Sequence, residues 1–320
     1  MISWRTHIEP ACECDTDHKQ MNTLYVIGNG FDRHHGIRSS YGDFGAFLKA
    51  HDPGTYDLLG EYFDTVDEFW SQFEARLADF DAATLVEKAS SFLAPYGADD
   101  WKDSAHHDYQ FEINRVVEAL SRGLKSQFAM WIRQLEVPDP VTIPAKLLRL
   151  DTSATFLNFN YTRSLQALYA VAQSHVLHIH GSASDVDGDL ILGHGWNPKD
   201  RGSSNDGANI EEIDTREIEG NRIIDLYFER TFKPTDRIIA AHQPFFEGLL
   251  GTQQILVMGH SMTDVDFPYF KELIRHVEVN SVRWRISYYS DDDAPRFQQQ
   301  LEERSGVPAR LVELAKLAEW

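Results

Sequence analysis

The run Leu24-Tyr25-Val26-Ile27, ending in Gly28-Asn29-Gly30-Phe31-Asp32, constrains this chain more than any other segment. An unbroken stretch of β-branched and aromatic residues fits a strand covered on both faces, as in a parallel sheet. Glycine at the end of such a strand takes positive φ at little cost and has no side chain to keep a ligand away. The segment predicts a first strand feeding a tight loop, with the N–H groups of Gly28 and Gly30 able to face a diphosphate. Alone, the pattern also describes a plain strand-to-helix turn.

The 320 residues suffice for one large α/β domain or two smaller ones. Apolar spacing of three and four predicts helices over 40–51, 65–80 and, most strongly, 108–136, where the last stops before Pro138 and Pro140. Strands are expected at Ala154–Phe159, His175–His180, Leu190–Gly193, Gln254–Gly259 and Arg283–Tyr289. Helices are expected at Thr162–Gln173, within 210–250, and near 265–278 and 293–304. Residues 197–209, rich in Gly, Ser, Asn and Asp, read as a loop, and the tail Val307–Ala318 is amphipathic. Strands alternating with helices imply a Rossmann-like, doubly wound, mostly parallel α/β sheet. The block at about 40–145 is too long for one crossover and reads as a large helical insertion. Residues 1–20 read as a polar N-terminal arm, and 21–320 as a single α/β domain.

Net charge is −20, from 50 acidic and 30 basic residues. Such a surface repels polyanions, so nucleic acid is an unfavoured partner. Cys12 and Cys14, the only cysteines, form neither a disulfide framework nor a zinc site at that spacing. With no apolar run able to span a bilayer and a polar first segment, a cytoplasmic protein without a membrane partner is expected.

Four expected strand ends carry polar residues that packing does not require: Gly28 to Asp32, Asn158-Phe159-Asn160-Tyr161-Thr162, His178-Ile179-His180-Gly181-Ser182, and Gly259-His260-Ser261 through Asp264 and Asp266. In an open parallel sheet the carboxyl ends of the strands share one edge, so these residues converge on one crevice.

The same four motifs, in this order over about residues 22–280, resemble the bacteriophage abortive-infection AbiH family, and Ser39-Ser40-Tyr41-Gly42-Asp43-Phe44 adds to the likeness. More distantly the order is similar to that of sirtuin-like NAD-consuming domains. This chain departs from them in Phe31-Asp32 and in lacking a zinc-binding cysteine quartet, which disfavours protein deacetylation.

The resemblance implies NAD as substrate, no metal, and a site with Gly28, Asn29, Gly30, Asp32, Gly259, Ser261 and Asp264 around the nucleotide. His180, which titrates near neutrality, is the expected general base, and Asn160 the residue that positions water or a ribose hydroxyl. Each has a structural alternative: a turn for the glycines, a helix cap for Asn160, Asp264 and Asp266, a packed histidine for His180. His178 and Asn158 lie deeper on the same strands, and His194 and Trp196 are candidates to line the pocket. The pairs His34-His35 and His106-His107 read as surface residues or as supports behind a site, since adjacent residues rarely face one site. The leading expectation is an anti-phage NAD glycohydrolase. The alternative is a non-hydrolytic nucleotide-binding sensor or partner module, with a homo-oligomer or a defence-system partner compatible with the acidic surface. An RNA-cutting nuclease is least favoured by the charge.

Overall fold

Thr23–Ile27 forms strand β1, and all five of its residues are buried in the computed structural model. The structure describes residues 21–66, 68–93, 107–186, 188–206, 214–291 and 293–320. The N-terminal arm with Cys12 and Cys14, His106, and residues 207–209 of the expected loop lie outside them.

After β1 come helices α1 (Asn29–His34), α2 (Tyr41–His51), α3 (Pro53–Tyr62), α4 (Phe73–Arg76), α5 (Ala82–Ala89), α6 (Asp108–Glu118) and α7 (Leu124–Arg133). Strand β2 (Thr155–Asn158), helix α8 (Ser164–Tyr169) and strand β3 (Val176–His178) follow. Helices α9 (Thr215–Thr231), α10 (Thr235–Ala241) and α11 (Gln243–Glu247) precede strand β4 (Gln254–Met258). Helix α12 (Phe267–Arg275) leads to β5 (Arg283–Tyr288), and α13 (Asp293–Ser305) to β6 (Val312–Lys316).

The six strands form one sheet in the order β3-β2-β1-β4-β5-β6, and every pairing is parallel. This is the order of doubly wound dinucleotide-binding folds, in which the chain reverses direction across the sheet between β1 and β4. Alternation along β1 sends Leu24 and Val26 to one face, with α10 to α13. Tyr25 and Ile27 go to the other, with Phe31 of α1 and Leu165 of α8.

The expected insertion is a separate helical layer with its own aromatic core, where Phe44 meets Phe128 at 5.3 Å and Trp131 at 5.4 Å. Helix α9 joins it through Ile224, Tyr227 and Phe228, and Tyr161 and Leu192 reach it from the loops after β2 and β3. The layer therefore lies against the carboxyl end of the sheet. Local signals start its helices: Ser40 and Asp43 form a reciprocal capping box on α2, and Asp52 caps α3 just before Pro53.

Several expectations are corrected. The 108–136 helix is divided by a π-helical turn over Ala119–Gly123, where the Ser121 hydroxyl donates to the Val117 carbonyl. Among the described residues of 65–80 only α4 and a short 3₁₀ turn form. Helix α8 ends early because Ala170 adopts a left-handed conformation, φ 54°. Leu190–Gly193 is not a strand. It crosses the site, with Ile191 N–H on the His180 carbonyl and the Ile191 carbonyl accepting from Tyr161. The amphipathic tail supplies β6, an edge strand paired to β5. Among the described residues no helix is long and apolar enough to cross a membrane.

Candidate functional site

The loops after β1 and β4 touch. Gly30 N–H donates to the Gly259 carbonyl at 2.7 Å, Gly28 N–H to Met258 at 3.0 Å, and Phe31 N–H to Gly28 at 2.9 Å. A Cβ on Gly28 would sit 2.5 Å from His260 Cα, and one on Gly30 2.7 Å from Gly259 Cα. The glycines thus serve backbone-to-backbone contact at the point where the strand order reverses. Their N–H groups, expected to face a diphosphate, are engaged by protein carbonyls. Asn29 is also held internally, donating to the Ser39 carbonyl and accepting from the Ser39 hydroxyl.

The end of β2 closes onto the same loop. Asn160 donates its side-chain N–H to the Gly28 carbonyl at 3.0 Å, and its backbone N–H reaches Asn158 Oδ1 at 3.0 Å. Asn160 caps no helix. The hydroxyls of Thr162 and Ser164 donate to the two oxygens of Asp32, the latter at 2.6 Å. Asp32 is 1% exposed, and its carboxylate ties two strand ends together.

Burial pushes the Asp32 carboxyl up to about 6, with the Ser164 and Thr162 hydroxyls opposing. Because the folded-state value is raised, its stability contribution is complete in acid and lost as pH rises through about 6. Ionisation in place costs roughly 2–3 kcal/mol at pH 7.5. Asp32→Asn should therefore be more stable than the wild type at pH 7.5 by up to about 2 kcal/mol and lose that advantage by pH 4. Urea denaturation at both values checks this; an equal difference at both would show that charge is not the cause.

A buried polar cluster lies on the other side of Asn160. Its neighbours Phe159 and Tyr161 pack on the His180 ring at 5.2 and 6.2 Å. His180 Nε2 stands 3.6 Å from Asp266 Oδ1, and His260 Nε2 3.7 Å from Asp266 Oδ2. Lys233 Nζ lies 3.2 Å from the same Oδ1 and 2.8 Å from Glu74 Oε1. The Lys233 side chain has no exposure at all. Tyr269, on α12, packs edge-on to His180 at 5.5 Å, and Tyr41 of α2 is hydrogen bonded to Glu74. One carboxylate is therefore shared by an ammonium and two imidazoles.

Charge states follow from these neighbours. Burial, reinforced by Lys233, pushes His180 down to about 3, and burial pushes His260 down to about 4. Burial would raise Asp266, but Lys233 and the two histidines hold it below the usual carboxylate range. Burial disfavours the Lys233 charge, yet Asp266 and Glu74 more than compensate. Burial pushes the Glu74 carboxyl up, with Lys233 opposing. At neutral pH the Lys233 ammonium and the Asp266 carboxylate stand beside two neutral imidazoles. The His180 ring is hydrogen bonded to the Phe159 backbone, while Nε2 has no hydrogen-bond partner among the described residues. Nε2 thus presents a lone pair beside a carboxylate; Asp266 favours the protonated ring, but burial and Lys233 outweigh it.

Other expected residues fall elsewhere. Gly259 N–H donates to the Ser287 hydroxyl oxygen, Ser261 is exposed, and exposed Asp264 pairs with Arg304 at 2.6 Å. Neither Asp264 nor Asp266 caps α12 through its side chain. His178 is hydrogen bonded with the Asn160 carbonyl. His194 is buried against Trp196, Phe228 and Phe232, in the helical layer's edge. His35 corrects the surface reading: it is fully buried between the Phe31 carbonyl and the Tyr169 hydroxyl. Sequence reasoning missed Glu74 and Lys233, which belong to no strand-end motif. The one available signal was a lysine in Phe232-Lys233-Pro234, between two helices.

Among the described residues no group of three or more His, Cys, Asp or Glu is placed to hold a metal ion. No match was found among curated proteins or among solved structures. A family model described as bacteriophage abortive infection AbiH matches residues 24–288. That stretch runs from β1 through β5 and contains every residue of the buried cluster, so the chain belongs to the bacteriophage abortive infection AbiH family.

Proposed function

We propose that this protein acts in anti-phage abortive infection by hydrolysing NAD to nicotinamide and ADP-ribose. The carrying observation is the bare His180 Nε2 beside Asp266 at the carboxyl edge of a sheet with dinucleotide-binding strand order. In this reaction the bond between ribose C1′ and the nicotinamide nitrogen breaks, and nicotinamide leaves with the electron pair. Water adds to C1′ and gives its proton to His180 Nε2. The leaving group is already cationic, so it needs no acid, and the site's task is to stabilise an oxocarbenium-like centre and direct the water. Asp266 stabilises the imidazolium that forms. His180 and His260 are 3% and 4% exposed. Substrate entry then requires the helical layer to part from the sheet edge, which keeps such an activity off until triggered.

The test is nicotinamide release from NAD by the purified protein, alone and with extract of phage-infected cells. His180→Ala should lower the rate by roughly 10²–10⁴-fold, the usual worth of a general base. No nicotinamide in either condition overturns the reading.

Of the second reading, a non-hydrolytic nucleotide-binding or partner module, the partner-module form is favoured by one observation: the N–H groups of Gly28, Gly30 and Phe31 are all engaged within the protein and not free for a diphosphate. Full phage protection by the His180→Ala protein would support it.

A further inference from the structure

Lys233 is the one ammonium in the buried cluster, and its position decides the protonation of its neighbours. The groups around His180 come from five elements. Asp266 and Tyr269 belong to α12 and the turn before it, His260 to the loop after β4, and Tyr161 to the loop after β2. Lys233 lies between α9 and α10, and Glu74 of α4 stands behind it. A buried carboxylate needs a cation, and breaking such a pair leaves an uncompensated charge. Two kinds of cation are available to Asp266: the Lys233 ammonium, or an imidazolium made by protonating His180 or His260. The two compete for Asp266 Oδ1, which lies 3.2 Å from Lys233 Nζ and 3.6 Å from His180 Nε2.

We propose that Lys233 is the positioning residue that keeps His180 neutral and proton-accepting, because it holds the place on Asp266 that an imidazolium would otherwise take. Its catalytic meaning rests on the NAD-cleaving reading; its electrostatic content does not. Glu74 belongs to the same device. From the helical layer it draws Lys233 into place, so that layer helps to set the charge state of a base on the sheet edge. The ordering of affinities is physical: an ammonium carries its proton at any pH the fold tolerates, whereas an imidazole must take one from solvent against burial. Removing the ammonium reverses the balance, since Asp266 then gains its counter-ion only by protonating a histidine.

The experiment reads ring ¹⁵N chemical shifts in full-length protein labelled at histidine, with His180 and His260 assigned through H180Q and H260Q. Both rings of the wild type are expected to be neutral at pH 7, and K233R should keep them so. In K233M, and in K233M/E74Q, which removes both partners of the Lys233–Glu74 pair, one of the two should become an imidazolium at pH 7. A purely structural lysine would lower the melting temperature without changing ring charge. Two neutral rings in either folded lysine-to-methionine protein overturn the proposal, as does an imidazolium in the wild type. Should neither methionine protein fold, neutral rings in both the wild type and K233R support it, and a charged ring in either overturns it. Absence of nicotinamide release from the same wild-type sample, both alone and with extract of phage-infected cells, would overturn the NAD reading and leave the ring-charge result standing.

Discussion

Acidification from pH 7.5 to 5 should remove most of this protein's folding stability. Four buried histidines are held neutral in the fold. Burial pushes His180 down to about 3, and His35, His194 and His260 each down to about 4, from an ordinary 6.5. Because the folded-state values are depressed, the unfolded chain binds protons first. The contribution is complete above 6.5 and drains away as pH falls from there toward 4 and 3. By pH 5 each histidine gives up about 2 kcal/mol. His180 and His260 share Asp266, so their losses do not simply add. Asp32 works in the opposite sense, regaining about 1 kcal/mol by pH 5, which is too little to cancel the rest. A domain with roughly 5–15 kcal/mol to lose cannot absorb several such terms. Urea midpoints at pH 7.5, 6 and 5 should fall steeply. A flat profile over that range would mean that the histidines are hydrated in solution.

The second large effect belongs to Gly259. An alanine Cβ there would lie 2.1 Å from the Phe31 nitrogen and 2.4 Å from the Gly30 carbonyl carbon, and the residue sits at φ +67°. Both clashing atoms are backbone, so no side chain can rotate away. A left-handed alanine costs about 1 kcal/mol or more, and forcing two loops apart adds roughly 1–3 kcal/mol. Gly259→Ala should therefore lose about 3 kcal/mol or more and disturb His260 beside it. Gly251 separates the two causes: it has a similar φ of +84° but open space around its Cβ position. Gly251→Ala should lose only about 1 kcal/mol. Comparable losses at both positions in thermal denaturation would sink the close-contact explanation.

These two positions also show what the sequence could convey. Leu24 to Asp32 announced a strand and a glycine loop; the strand is there, and the loop is a tight turn in which Gly28 alone separates β1 from α1. The sequence could not distinguish a glycine that makes room for a ligand from one that makes room for another loop, because both need the same missing side chain. The partner loop is over two hundred residues away in sequence. The strand-end rule correctly sent Gly28, Asn160, His180 and His260 to one edge, since period and topology decide that. It could not say that Asn160 would turn its amide toward Gly28 while its neighbours faced His180. Lys233 and Glu74 were illegible for a different reason. They lie in helical and connecting segments, where lysine and glutamate normally face water, and only the seating of the helical layer buries them. The amphipathic tail fell short for want of length: five residues of β6 carry too little periodicity to name a strand without its neighbour β5.

The position of β1 governs when the molecule comes into being. β1 is made first yet pairs on one side with residues 155–158 and on the other with 254–258. The ribosome must therefore synthesise more than two hundred residues before β1 has both neighbours, and Asp266 emerges later still. Contacts of such long sequence separation form late. A fragment from an interrupted message holds at most part of the sheet edge, so the cluster of His180, His260, Lys233 and Asp266 is complete only on a chain made past Asp266.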